Sequence, residues 1–497
     1  MSLSIQKIYE LARRRGFFFV SSEIYGGFSG FFDYGNIGTK IKRNLENLWR
    51  DFFLSIDENF HEIETSLIMP EKVFEASGHL KHFVDPVVIC ERCKTSFRAD
   101  QLIEEELKIK GEGKTVEELQ NIIEKNRLKC PKCGGALSKV FLLNMMFDVD
   151  IGVKKDTKGY LRPETAQGSY INFLRMFEVT RRKLPLGLAI IGKAFRNEIS
   201  PRQLLLRQRE FTQAELQIFF DPEKIEECDK WDAIKDKKIR ILFSDESKEK
   251  EVTCEELNER LPKFYIYWLL KAQEFFLNIL KIPKERFRFR ELSKDERAFY
   301  NKIHFDCEIF LESLDGFKEV AGIHYRTDHD LGGHEKFSGK SHKVFINGRK
   351  FVPHVLEVSF GIDRIFYSLL DVFYKEDKER EWDWLKLPPK LAPYKVAVYP
   401  LVKKDGIEEK AKKIFEDLKL CFDCVFDSSG SIGKRYARAD EVGIPFCITI
   451  DYQTLEDRTV TIRDRDTKKQ VRVKISKLKN VIWELINGKK IEEAVNL

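Results

Sequence analysis

Arg196 and Glu198, followed by Arg207, Arg209, Phe211, Gln213 and Glu215, repeat at a spacing of two within one short stretch. On extended backbone that spacing puts side chains on one face, so guanidinium, carboxyl and aromatic groups line up together. The rigid fork of arginine suits bidentate contacts with phosphate or carboxylate, and a neighbouring ring offers a surface on which a base can stack. The combination predicts a platform for a nucleoside triphosphate. A solvated face is the plainer alternative, because antiparallel sheets often leave one side wet. Such faces favour Lys and Thr, whereas this one concentrates Arg.

A second chemistry sits at Cys90-Glu-Arg-Cys93 and Cys130-Pro-Lys-Cys133-Gly134-Gly135. Two CxxC pairs supply the four thiolates of a tetrahedral Zn²⁺ site, and with all four positions filled the metal is expected to be structural. The 36 residues between the pairs (94–129) hold a polar, helix-prone insert, Ala99 to Lys125. Cys228, Cys254, Cys307, Cys421, Cys424 and Cys447 have no such pairing and read as small core residues.

These groups need a frame. Gly187-Leu-Ala-Ile-Ile-Gly-Lys-Ala-Phe195 reads as a buried strand bounded by Pro185. A loop with Pro201 and Arg202 follows, and beyond it Ala214, Leu216 and Ile218 alternate opposite the charged set. The reading is an antiparallel hairpin with one apolar and one charged face. Ile41, Leu45, Leu48, Trp49 and Phe52 form the stripe of a helix from about Ile37 to Leu54, either core or a subunit interface. Phe305–Leu311, Phe317–Ile323 and Val355–Phe360 read as strands. Gly361 then opens a helix with Arg364 in its first turn. Residues 221–295 are charge-rich and read as an insertion. The proline-bearing stretch from Trp382 to Pro393 is a linker. After it, strands alternate with helices, which indicates a separate α/β domain.

At 497 residues the chain has room for about three domains. The net charge of +6 permits a nucleic-acid partner without demanding one. No apolar run reaches the ~18 residues of a membrane span, so no membrane contact and a cytoplasmic location are expected. Ten cysteines in a chain this long do not make a disulfide framework.

Taken together, the hairpin, the Glu357–Arg364 strand and helix, and the early helix resemble the three signature motifs of class II aminoacyl-tRNA synthetases. The longer words are similar to those of the dimeric glycyl-tRNA synthetases. They include Tyr25-Gly-Gly27, Ser77-Gly-His79, Phe97-Arg-Ala-Asp100, Arg162-Pro-Glu-Thr-Ala-Gln-Gly168, Gly192-Lys-Ala-Phe-Arg-Asn-Glu198, Arg326-Thr-Asp328 and Glu357-x-Ser-x-Gly-x-Asp-Arg364. Near the end stands Ser431-Ile-Gly-Lys-Arg-Tyr-Ala-Arg-Ala-Asp440. The family pattern is left at Asn36, in place of proline, at Gln101, at Val358, and at His324-Tyr325, where Ala-Asp is usual.

The resemblance implies an α+β catalytic domain with a central antiparallel sheet (1–85, 141–220 and 296–388). It adds a zinc-knuckle insertion (86–140), the charged insertion (221–295) and a C-terminal α/β anticodon-binding domain (392–497). It implies ATP and Mg²⁺ as well as structural Zn²⁺, with glycine, tRNA-Gly and a homodimeric copy as partners. Carried over by position, ATP would meet Arg196, Asn197, Glu198, Leu206, Arg207, Gln208, Arg209, Glu210 and Phe211, then Glu319, Val320, Gly361, Ile362, Asp363 and Arg364. Phe211 would stack on adenine. Glycine would meet Arg98, Glu164, Phe211, Thr212, Gln213, Ala214, Glu215, Glu357, Val358, Ser359, Phe360 and Gly361. Arg196 and Arg364 would be the catalytic clamps.

The expected reaction joins the glycine carboxylate to the α-phosphate of ATP, where positioned positive charge rather than a protein nucleophile lowers the barrier. Glu164, Glu215 and Glu357 would grip the ammonium, and in an empty pocket their mutual repulsion should raise at least one pKa. Two alternatives remain open from sequence: a synthetase-like accessory subunit that holds nucleic acid without catalysis, and a class II synthetase for another amino acid. Arg435 and Arg438 on the terminal domain are candidate anticodon-phosphate contacts.

Overall fold

In the computed structural model the described residues are 3–111, 113–153, 157–201, 203–298, 300–377, 380 and 382–495. Arg202 lies outside them. Helix α1 (Ile5–Arg15) begins at Ser4, whose hydroxyl accepts from the Lys7 amide, and ends at Gly16, whose φ of 69° suits a residue without a side chain. Helix α2 (Asn36–Phe53) buries Ile37, Ile41, Leu45, Trp49 and Phe53 at helical spacing in the chain's own core.

The frame of the molecule continues through strands β1 (Phe60–Glu62), β2 (Val84–Ile89), β3 (Ser96–Arg98) and β4 (Phe141–Asn144), then helix α3 (Ala166–Val179). The expected hairpin follows as β5 (Leu186–Phe195) and β6 (Glu210–Phe220). Next come β7 (Lys238–Leu242), β8 (Lys250–Thr253), helix α4 (Lys263–Glu274), β9 (Phe287–Glu291), β10 (Ile303–Leu311), β11 (Gly316–Thr327), β12 (His354–Gly361) and helix α5 (Ile362–Phe373).

Nine strands make the central sheet, in the order β8-β7-β9-β10-β11-β12-β6-β5-β1. All neighbours are antiparallel except β7 with β9 and β5 with β1. Residues 221–295, expected as a charged insertion, thus extend the sheet by three strands and supply α4, which buries Tyr265, Ile266, Trp268 and Leu269. Charge marks only the outer surface of this segment.

One face of the sheet packs on α2, α4 and α5. Phe360 on β12 stacks on Phe276, with ring centroids 5.3 Å apart, and meets Phe53 and Phe275 edge-on. Phe360→Ala would cost ~3–5 kcal/mol, because the rings around it cannot close the cavity. The opposite face carries the polar side chains described below.

Strands β3-β2-β4 form a small sheet that, with helices Ala99–Leu107 and Val116–Lys125, encloses a separate core of Val88, Phe97, Leu102, Ile103 and Leu119. At the other end, β13 (Val396–Pro400), β14 (Cys424–Phe426), helix α6 (Ile432–Glu441), β15 (Phe446–Ile450), β16 (Thr459–Asp464) and β17 (Gln470–Lys474) fold together. Their sheet runs β14-β13-β15-β16-β17, with β13 parallel to both of its neighbours and the remaining pairs antiparallel. The linker before it is packed rather than loose. Leu385, Leu387 and Leu391 are fully buried, and Arg465 donates to the Leu387 carbonyl at 2.8 Å.

Candidate active site

Register explains how the sheet gathers its polar groups. Residues directly opposite each other on neighbouring strands share a face. One rung crosses four strands as His304, His324, Glu357 and Gln217; the next runs Asp306, Gly322, Ser359 and Glu215. All of these but Gln217 and Asp306 line a pocket of about 170 Å³ that also takes in Glu164, Arg196, Phe211 and Arg364.

Three carboxylates stand at one end, each buried and each held differently. Glu357 Oε2 accepts from Gln217 Nε2 at 2.7 Å and from Arg326 at 3.0 Å, while its Oε1 meets His324 Nδ1. Glu215 accepts from the Ser359 hydroxyl at 2.7 Å and the Thr165 hydroxyl at 2.6 Å. Glu164 accepts from Gln167 at 2.9 Å and lies 3.4 Å from the Arg326 guanidinium. Arg326, only 1% exposed, is anchored by Asp330 through two bonds of 2.8 and 3.0 Å.

These surroundings drive the three acids apart electrically. Burial, with the nearby Glu357 and Glu164 charges, pushes Glu215 up to about 8. Burial also raises Glu357, against the opposing pull of Arg326. Glu164 is buried too, but Arg326 and His79 outweigh that penalty and hold it well below the usual carboxylate range. The repulsion expected from sequence therefore falls chiefly on Glu215, whose hydrogen bonds among the described residues come from the Thr165 and Ser359 hydroxyls rather than from a guanidinium.

The other end is cationic. The Arg196 guanidinium lies 5.2 Å from the Phe211 ring centre and 5.5 Å from that of Phe83, and its Nε donates to the Pro163 carbonyl at 3.1 Å. Arg364, in the first turn of α5, donates to the Leu206 carbonyl at 3.1 Å and pairs with Glu319 at 2.9 Å. Arg207 pairs with Glu198 at 2.6 Å. Gly361 is the hinge from β12 into α5; a side chain there would stand 3.3 Å from both Arg364 and the Val320 carbonyl.

Of the expected site residues, Glu164, Arg196, Glu198, Leu206, Arg207, Gln208, Phe211, Thr212, Gln213, Glu215, Glu319, Val320, Glu357, Ser359, Gly361, Asp363 and Arg364 line this pocket. Eight do not. Ala214, Val358 and Phe360 alternate to the opposite face and join the core, as does Ile362. Glu210 pairs with Lys193 at the surface, and Arg209 holds the Glu198 and Ser29 carbonyls. The Asn197 amide is bonded to the Met145 carbonyl, and Arg98 is tied to Asp100 and Asp85.

Sequence reasoning missed Tyr300, His304 and His324 as pocket residues, and it missed the ionic role of Arg326. The strand expected from Phe317 to Ile323 runs on to Thr327, and the strand expected from Phe305 begins two residues earlier, at Ile303. Continuing the alternation Val320, Gly322, His324, Arg326 would have found three of the wall positions. Tyr325, one of the departures from the family pattern, turns to the other face and hydrogen-bonds His354 at 2.6 Å.

Two family descriptions match the chain: the class II tRNA synthetase core domain (G, H, P, S and T) over residues 147–373, and the anticodon binding domain over 395–485. The glycine–tRNA ligase of Pyrococcus horikoshii is 43% identical over 97% of this chain and 98% of its own length. That of Thermococcus kodakarensis is 41% identical over 96% and 98%, and that of Methanocaldococcus jannaschii 39% over 96% and 98%. The chain belongs to the glycine–tRNA ligase family.

Two further groups of this glycine–tRNA ligase family member lie outside the pocket. Cys90, Cys93, Cys130 and Cys133 converge with all four sulfurs within 4.8 Å of one another. A tetrahedral site with ~2.3 Å metal–sulfur bonds requires sulfur separations of about 3.8 Å; the closest here are 3.5 and 3.6 Å. In the terminal domain Arg435 corrects the expectation of a phosphate contact. Its guanidinium is buried and donates to the carbonyls of Pro400, Ser428 (3.2 Å) and Gly430 (2.8 Å). Arg438 is half-exposed and paired with Asp427 at 2.6 Å. No helix among the described residues is long and apolar enough to cross a membrane.

Proposed function

We propose that the protein is an ATP-dependent ligase that attaches glycine to tRNA-Gly through a glycyl-adenylate, acting in the cytoplasm as a homodimer. One observation carries the reading: a single pocket with three buried carboxylates at one end and Arg196 and Arg364 at the other. That polarity suits an amino acid whose ammonium enters first and whose carboxylate points toward a triphosphate.

Glu164, Glu215 and Glu357 hold the glycine ammonium, with Ser359 and Gln213 beside them. Phe211 takes the adenine, while Arg196 faces the α-phosphate and Arg364 the γ-phosphate. The glycine carboxylate oxygen bonds to the α-phosphorus as the bond to pyrophosphate breaks. The terminal ribose hydroxyl of the tRNA then attacks the carbonyl and AMP leaves. Arg196 answers the charge that develops on non-bridging oxygens, and removing such a donor costs roughly 3 kcal/mol. The Glu319 carboxylate beside Arg364 fits Mg²⁺, a hard cation that takes oxygen ligands and, when bound, offsets pyrophosphate charge. The four thiolates fit Zn²⁺ in a closed structural site.

Selection of glycine is an exclusion problem, since every rival is larger. Gly322 already has the His324 ring 2.4 Å from where its own Cβ would stand, so the wall is tightly filled. An added methyl would be rejected by overpacking at roughly 1–3 kcal/mol. Transfer of labelled glycine to a tRNA-Gly transcript tests the proposal; wild-type protein that charges no tRNA with glycine would overturn it.

A further inference from the structure

We infer that His324 is a positioning residue of the amino-acid subsite, locked by His304 into the tautomer that donates from Nδ1 to Glu357. The inference rests on the glycine-activating reading of the pocket and adds to it two residues that reading does not use.

The hydrogen-bond order fixes the protons. Asp306 Oδ1, a carboxylate oxygen that accepts, lies 3.0 Å from His304 Nε2, so His304 carries its proton on Nε2 and its Nδ1 is left to accept from Asn301 Nδ2 at 3.4 Å. His304 Nε2 is 2.9 Å from His324 Nε2 and 3.0 Å from Asp306 Oδ1. Two ring nitrogens at that distance need one donor and one acceptor, so His324 accepts at Nε2 and bears its proton on Nδ1. That N–H points at Glu357 Oε1. Burial first, and then the neighbouring His304 and Arg326, push His324 well below its ordinary pKa, so it donates as a neutral ring.

The consequence is a division of labour on one carboxylate. Gln217 and Arg326 occupy Glu357 Oε2, leaving His324 as the donor that aims Oε1. The rung His304–His324–Glu357–Gln217 is continuous across four strands, so backbone pairing sets the spacing of the whole relay. Gly322 belongs to the device, because a Cβ there would stand 2.4 Å from His324 Nε2 and 3.3 Å from His304 Nε2.

The test is pyrophosphate exchange by the full chain, with glycine and ATP varied separately. His324→Ala should raise KM for glycine about tenfold, the cost of leaving a buried acceptor without its donor. KM for ATP should stay within about twofold of wild type. Added imidazole should restore part of the loss. His324→Phe, which keeps the ring volume and removes the donor, should show the same split and gain nothing from imidazole. An unchanged KM for glycine in either variant, or an equal rise in both KM values, would overturn the inference. Wild-type protein with no glycine-dependent exchange would instead overturn the ligase reading beneath it.

Discussion

The hydroxyl of Ser359 donates to Glu215 at 2.7 Å across adjacent strands, and no arginine or lysine makes an ion pair with that carboxylate among the described residues. Glu215 is thereby the protonated member of the acid cluster at neutral pH, since burial and its two acidic neighbours raise it to about 8. An ammonium ligand reverses the situation, because it favours the ionised form.

Glycine binding should therefore release a proton below pH 8 or so. The folded, empty pocket keeps the proton up to about 8, so affinity for glycine should climb as pH rises toward that value and level off above it. The limiting slope is about one decade per pH unit. Titration calorimetry in buffers of different ionisation enthalpy reads this directly. Affinity that is flat between about pH 6 and 8 would contradict the assignment. Glu215→Gln should flatten the profile and weaken binding most above about pH 8, where the wild-type carboxyl is ionised.

Arg326 serves stability as well as the pocket. It is the cation between Glu357, Glu164 and Asp330, all buried. Arg326→Met leaves those acids uncompensated and should destabilise the fold by ~3–5 kcal/mol. Urea unfolding reads the loss as a lower midpoint at unchanged slope. A variant with a wild-type midpoint would show that the three acids are accommodated without that cation.

Arg435 should behave as a structural residue of the terminal domain. Arg435→Lys is expected to lower the melting temperature, because one ammonium cannot span three carbonyls as a planar guanidinium does. The loss should be ~1–3 kcal/mol. A variant that melts like wild type yet binds tRNA less well would restore the phosphate-contact role.

The four-cysteine cluster predicts metal in the purified protein at about one equivalent, bound by thiolates. Elemental analysis measures it. Strong chelators should lower the melting temperature while leaving KM for glycine near wild type, since the cluster lies in the insert with its own core. Metal content below about half an equivalent would count against the site.

Much of this was legible in the sequence because two periods rarely mislead. The alternation on either side of the Pro201 loop gave the hairpin, and the CxxC spacings gave the sulfur cluster. Reading failed where backbone geometry rather than residue type decides. Arg196 and Glu198 lie just past the end of β5 in a loop, not on the strand, yet that loop still turns them into the pocket. The family resemblance carries Val358 and Phe360 into the site by position, whereas strand pleating sends their side chains to the core. Residues 221–295 read as a charged insertion because their edge strands carry charge outward, and composition does not report which face a strand buries. The rung from His304 to Gln217 joins four separated segments, a register no single stretch contains.

The central claim is glycine activation at the Glu215–Glu357 pocket, and exchange of labelled pyrophosphate into ATP tests it most directly. With glycine the wild-type chain should exchange, and Arg196→Ala should fall about a hundredfold. With alanine in place of glycine there should be little exchange. No exchange with glycine, or equal exchange with alanine, would contradict the account.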